Sequence, residues 1–248
     1  PPHFPLDIED SLAQARAALA RVYGYPSFRP GQEDALRAIF AGEDVLAVMP
    51  TGSGKSLCYQ IPPLVRPGLT VVVSPLIALM HDQVRQLRAY GIAAGALNSA
   101  NTPGENLATE RAIADRRLRL VYVAPERFAL PGLTQLFRDG GANLLAIDEA
   151  HCISQWGHDF RPEYLGLREV RHMLGDIQTV AVTATADAHT RADILEQLGI
   201  PAEGLIVAGF DRPNIRYIVR HRDNPTKQIA QLMAEQPGPG IVYAPTRK

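Results

Sequence analysis

Two short stretches of this chain carry residue types and spacings that can do chemistry together. The first is Met49-Pro50-Thr51-Gly52-Ser53-Gly54-Lys55-Ser56. It follows an apolar run, Val45–Met49, and precedes an amphipathic one, Lys55–Leu64. Glycines at 52 and 54 let the backbone turn sharply, so that successive N–H groups of Thr51 through Ser56 point inward at phosphate oxygens. Lys55 adds a point charge for the β/γ-phosphates, and the Ser56 hydroxyl suits a Mg²⁺ ligand. The general pattern starts with glycine six residues before the lysine, and here that position is Met49. The second stretch is Leu144-Leu145-Ala146-Ile147-Asp148-Glu149-Ala150-His151, an apolar strand ending in two adjacent carboxylates. Asp148 is placed to join Ser56 around Mg²⁺, and Glu149 to orient and deprotonate an attacking water. Adjacent residues point to different sides of the backbone, which suits two roles. His151 follows as a polar neighbour with a motif-level role in the same chemistry.

The elements that must position these residues alternate in type. Strands are predicted at Val45–Met49, Thr70–Val73, Ala93–Leu97, Leu118–Val123, Leu144–Ile147 and Thr179–Val182. Helices are predicted at Ser11–Tyr23, Gln32–Phe40, Lys55–Leu64, Leu76–Tyr90, Glu105–Asp115, Glu163–Leu174 and Ala188–Leu198. The strands are almost continuously apolar, as strands buried on both faces are. The expected class is therefore α/β, a doubly wound parallel sheet with helices on both faces. Ser74-Pro75 reads as a helix cap followed by a helix-opening proline, and Thr102 with Glu105 as a capping box. Gly91 and Gly199 suit left-handed positions after helices.

Near Ala208–Asn214 the character changes. The expected division is a nucleotide-binding lobe over 1–208 and, over 209–248, a connector with the start of a second lobe. In that second part Ile215–Val219 and Gly240–Tyr243 read as strands and Thr226–Glu235 as a helix. Roughly 40 residues are too few for an independent α/β lobe.

Composition narrows the class further. Lysine plus arginine number 25 against 26 acidic residues, a net charge of −1. A general basic coat for nucleic acid is excluded, and any such contact is a local patch. Two cysteines, Cys58 and Cys152, exclude a disulfide framework or a four-cysteine zinc site and fit a reducing compartment. No apolar run has the length to span a bilayer, and the acidic, proline-rich Pro1–Asp10 does not read as a secretion signal. The expectation is an intracellular protein, of the cytoplasm or nucleoid in a bacterium, with no membrane association.

The phosphate loop with Asp-Glu-Ala-His resembles the superfamily 2 helicases, and the flanking sequence resembles the RecQ family of ATP-dependent DNA helicases. Tyr23-Gly24-Tyr25-Pro26-Ser27-Phe28-Arg29-Pro30-Gly31-Gln32 is similar to that family's adenine-recognition motif. The resemblance implies that Tyr25 stacks on the base while Arg29 and Gln32 contact it. Cys152-Ile153-Ser154-Gln155-Trp156-Gly157-His158-Asp159-Phe160-Arg161-Pro162-Glu163-Tyr164 is similar to its aromatic-rich loop, with Trp156 and Phe160 as faces for unpaired bases and Arg161 for phosphate. Val71–Val84, with Ser74, Pro75 and Gln83, resembles motif Ia, and Tyr122–Phe128 motif Ib; both are implied to follow a single strand's backbone. Val182–Ala186 resembles motif III, which couples nucleotide state to DNA. Phe210–Tyr217 looks like the family's connector and Gly240–Lys248 like the start of motif IV. The resemblance runs from about Leu19 to Lys248.

The implied fold is RecA-like, with the start of a second RecA-like lobe after it. The implied function is ATP-dependent, 3′ to 5′ unwinding of DNA in repair and recombination. ATP and Mg²⁺ are the implied cofactors, and single-stranded and partly duplex DNA the implied partner. Without the rest of the second lobe, weak turnover by the chain alone is expected. The alternatives are a non-hydrolysing nucleotide or single-strand binding lobe and another superfamily 2 nucleic-acid motor.

Overall fold

The computed structural model describes residues 7–156, 159–184, 186–209 and 215–243. The chain divides into two compact units, Pro1–Phe210 and Asp211–Lys248.

The first unit is built on seven parallel strands. Helix α1 (Ile8–Ala18) opens with Asp7 as its cap, and its chain continues in a wider π turn, Leu19–Tyr23, that stops at Gly24. Helix α2 (Gln32–Ala41) leads to β1 (Val45–Val48). Then come α3 (Leu57–Gln60), α4 (Pro62–Val65), β2 (Leu69–Val73), α5 (Ile77–Ala89), β3 (Ala94–Leu97), α6 (Pro103–Ala114) and β4 (Leu120–Val123). They are followed by α7 (Leu133–Asp139), β5 (Ala142–Ile147), α8 (Leu167–Met173), β6 (Gln178–Thr183), α9 (Ala188–Leu198) and β7 (Leu205–Val207). The sheet order is β3-β4-β2-β5-β6-β1-β7.

Every residue of β1 is buried, yet its side chains divide between two cores. Leu46 and Val48 join one with Phe137, Val170 and Ile194; Val45 and Ala47 join the other with Ile39, Met80 and Val84. This is the physical meaning of an apolar run without alternation: both faces of the sheet are covered by helices. A third cluster packs α1 on α2 and on Leu57 and Ile61.

The α/β class and the six expected strands are present, with ends shifted by one or two residues. Local chemistry explains the larger differences. The helix expected over Lys55–Leu64 is two short pieces with Ile61 between them, because Pro62 can open a helix turn but cannot donate to a preceding one. Helix α8 starts at Leu167 rather than Glu163, after a single 3-10 turn, Pro162–Tyr164. Helix α5 starts at Ile77, so Ser74-Pro75 forms the strand exit and not the cap. The Thr102–Glu105 capping box forms as expected, and Gly199 takes the left-handed conformation at the end of α9. Helix α7 and strand β7 were not expected: α7 is two turns long, and β7 is a three-residue edge strand paired only to β1.

In the second unit α10 (Pro225–Glu235) forms with Asn224 as its cap and with no buried residue. Ile215–Val219 and Gly240–Tyr243 do not form strands. A strand needs a partner for its backbone groups, and the described residues of this unit supply none. Most of the connector, Phe210–Asn214, and the end of the motif IV stretch, 244–248, lie outside the described residues.

Candidate nucleotide and single-strand site

The chemistry-bearing residues gather at the carboxyl edge of the sheet, where parallel strands of α/β folds place their ligands. β1 runs into the phosphate loop, β5 into Asp148 and Glu149, β2 into Ser74 and Pro75, and β6 into Thr183.

Gly52 and Gly54 have φ of +78° and +79°. That left-handed backbone is what the tight turn requires, and it is open to glycine at little cost. At Gly54 a Cβ would also lie 2.8 Å from the Gln32 amide nitrogen. Met49, the departure from the usual glycine, is fully buried and extends the strand pairing by donating to the Thr183 carbonyl at 3.0 Å. The loop turns beyond it, at Thr51 and Gly52, closed by Ser53 N donating to the Pro50 carbonyl at 3.0 Å, and the methionine side chain belongs to the core.

Lys55 Nζ lies 3.4 Å from Glu149 Oε1, so the two motifs found in the sequence meet. Glu149 has φ of 48° and ψ of 48°, a strained conformation for a residue with a side chain. It separates the two carboxylates: Glu149 faces Lys55, while Asp148 turns into the protein. Asp148 is buried, accepts from the Tyr59 hydroxyl at 3.2 Å and from the Glu149 backbone at 3.0 Å. Burial, helped by the Glu149 charge, raises its carboxyl to about 6, although Lys55 opposes the shift. His151 is buried and its Nδ1 lies 2.9 Å from the Thr183 hydroxyl and 3.4 Å from Glu149 Oε2, so it bridges the carboxylate to the end of β6.

These residues suit a nucleotide with its metal. A cation beside the buried Asp148 carboxylate would offset the cost of burying its charge. The Ser53 hydroxyl is buried beside the cradle and has no hydrogen-bond partner among the described residues.

The stretch that resembles an adenine motif packs against the same loop. Arg29 donates to the Gly52 carbonyl. Gln32 is buried; its amide donates to the Ser53 and Gly54 carbonyls at 2.8 and 3.0 Å and accepts from Arg29 N at 2.9 Å. Both ends of the Gln32 amide are thus engaged inside the protein, while Tyr25 is half exposed.

Residues that sequence reasoning passed over hold the site. Tyr59 grips Asp148. Gln60 donates to Gln83 at 2.8 Å and to the Tyr122 hydroxyl at 3.0 Å, joining α3 to motifs Ia and Ib. Tyr164, at the end of the aromatic loop, donates to the Asp148 carbonyl at 3.0 Å. A polar residue inside an apolar helix pattern was the only signal in the sequence for Tyr59 and Gln60.

The aromatic loop leaves β5 directly after His151. Trp156 is 72% exposed, and Phe160 is partly buried. Arg161 donates to the Pro75 carbonyl at 3.2 Å and lies 3.5 Å from Asp159, which brings it beside motif Ia. Ser74 is buried at the end of β2. Gly157 and His158 in the loop and Thr185 in motif III lie outside the described residues. No helix among the described residues is long and apolar enough to cross a membrane.

A glycine cradle, its lysine, and a carboxylate pair on a parallel strand of the same sheet define a P-loop nucleotide-binding domain of the RecA-like helicase kind. Residues 29–194 match the DEAD/DEAH box helicase family, and the chain belongs to that family. It is 46% identical over 234 residues to the ATP-dependent DNA helicase RecQ of Haemophilus influenzae, covering 94% of this chain and 38% of that protein. It is also 46% identical over 230 residues to the RecQ of Pasteurella multocida, covering 92% and 36%. The chain thus spans between a third and two fifths of the length of these relatives. The crystal structure of the DUF1998 helicase MrfA shares the fold, with a TM-score of 0.71 at 19% identity, over 95% of this chain and 38% of that one.

Proposed function

We propose that this chain is the nucleotide-binding lobe of a RecQ-type ATP-dependent DNA helicase, which moves 3′ to 5′ on single-stranded DNA and serves repair and recombination. The observation that carries the reading is the continuity of β5: one strand delivers Glu149 to Lys55 and Asp148 to the buried ground behind it, and the chain then runs straight into the aromatic loop. A nucleotide site and a base-stacking surface are therefore consecutive pieces of the same chain.

The division of labour follows from the geometry. Backbone N–H groups of 51–56 and Lys55 hold the phosphates. Ser56 and Asp148 are the residues that would hold Mg²⁺, which would supply charge neutralisation on the phosphates. Lys55 exchanges its carboxylate partner for phosphate oxygens, which frees Glu149 to accept a proton from water. His151 keeps contact with Thr183 and so relays the state of the carboxylates to β6 and the helix after it. Tyr25, Arg29 and Gln32 form the base-side wall; for the Gln32 amide nitrogen to donate to adenine, it must release a loop carbonyl. Ser74, Pro75, Gln83, Trp156, Phe160 and Arg161 form the single-strand surface.

The test is ATP hydrolysis with oligothymidylate, with an RNA of equal length and without nucleic acid. It is run on this chain and on a form carrying the further sequence of the RecQ relatives. DNA-selective stimulation of the longer form supports the reading. Equal stimulation by RNA favours another superfamily 2 motor, and no stimulation of either form removes the aromatic loop's role.

A further inference from the structure

Trp156 is the chain's one tryptophan, and most of its surface is open to solvent. One face of the indole is nevertheless occupied. The His189 imidazole lies against it, with ring centroids 5.6 Å apart and planes inclined by 17°. His189 is the second residue of α9. Its position is set by Asp187, which caps the helix by accepting from Thr190 N at 2.8 Å.

A second tie joins the same two elements. Ser154 is fully buried and donates to Asp193 Oδ2 at 2.6 Å, while its oxygen accepts from Trp156 N at 3.3 Å. His189 and Asp193 are four residues apart on α9 and so share one face of the helix. The far limb of the loop is held separately, by Arg161 N on the Cys152 carbonyl at 2.8 Å. The loop is anchored at both ends, and between the anchors the ring that stacks on the indole, among the described residues, is His189 of α9.

We propose that His189 is a positioning residue for single-strand binding. It backs the indole so that the outer face of Trp156 is presented flat to an unpaired base, giving a stack of base, Trp156 and His189. The inference rests on Trp156 being a base platform. An exposed indole without a backing samples several rotamers, and fixing it beforehand removes that loss from the binding step. Offset-stacked rings are the arrangement that aromatic quadrupoles favour. The same helix begins a few residues after Thr183, the hydroxyl that meets His151, so the platform and the nucleotide site share a support.

Because Trp156 is alone, its emission reports this stack directly. Oligothymidylate binding is measured on the chain by anisotropy of a labelled strand and by quenching of tryptophan emission. His189→Ala should alter the emission without DNA and weaken binding by about threefold to tenfold. His189→Phe should restore both, and affinity for a fluorescent ATP analogue should be unchanged in each. If Trp156→Ala weakens binding while His189→Ala changes neither emission nor affinity, His189 is a bystander and the platform survives without it. If His189→Phe, still folded, restores nothing, a flat backing is not the requirement and the proposal falls. If the wild-type chain does not bind the strand, or Trp156→Ala binds it as well as wild type, the platform itself fails and this inference with it.

Discussion

Two loops leave the carboxyl edge of one sheet and are built in opposite ways. The phosphate loop is wrapped by the protein: its carbonyls are taken up by Arg29 and Gln32, its lysine by Glu149, and the carboxylate behind it by Tyr59. The aromatic loop is tied at its ends and leaves its tryptophan in solvent. The difference matches what each is proposed to meet. A phosphate cluster has one shape and rewards a loop whose backbone is already turned and braced around it. An unpaired base offers a flat face of variable identity, for which an exposed ring is the tolerant partner. Strain follows the same division: Glu149 holds a left-handed backbone and Asp148 a buried charge, both beside the cradle.

The contrast can be broken most forcefully at Lys55. Lys55→Ala should abolish ATP turnover, measured on the form carrying the further sequence of the RecQ relatives, while the fold stays intact, since the ion pair it loses is a single contact of 3.4 Å. Hydrolysis at the wild-type rate would show that the cradle is not the reacting site. Gly54→Ala places a Cβ in a left-handed backbone and against Gln32, so it should destabilise by about 1–3 kcal/mol and weaken nucleotide binding. Equilibrium denaturation of the two chains measures the first effect, and unchanged stability would mean the loop reshapes freely.

Asp148→Asn sharpens the comparison in the other direction. The folded-state carboxyl stands at about 6, above its ordinary value of 3.8, so folding takes up a proton between those values. The ionised form therefore costs stability above pH 6, and the cost disappears as the pH falls below about 4. In chelator, the asparagine variant should be more stable at pH 7 by about 2 kcal/mol, and the two proteins should converge near pH 4. A constant difference across that range would mean the effect is not the buried charge. The smallest expected change is in the melting of Trp156→Ala, within about 0.5 kcal/mol of wild type. The same substitution should weaken DNA stimulation; a large fall in stability instead would make Trp156 a packing residue.

The strands were legible because a sheet covered on both faces leaves an unbroken apolar run, as Val71-Val72-Val73 and Leu144–Ile147 show. The cradle was legible because its geometry depends on two glycines and a lysine that few other needs would place together. Helix α7 and strand β7 were not, being too short for a periodic signal to emerge. The strands expected at Ile215–Val219 and Gly240–Tyr243 failed for the opposite reason: β-propensity was present, and among the described residues a partner strand was not.

By itself, then, the sequence determined what depends on local backbone freedom and on side-chain type: the strand-to-helix turn at Gly52–Lys55, the carboxylate pair, and the order of the motifs. Only the tertiary structure decided which residues meet. Gln32 lies 21 residues before Ser53, Tyr59 lies 89 before Asp148, and Ser154 lies 39 before Asp193. Such pairings arise from the order of strands in the sheet and the packing of helices against it. Nothing in the spacing of residues along the chain encodes them separately.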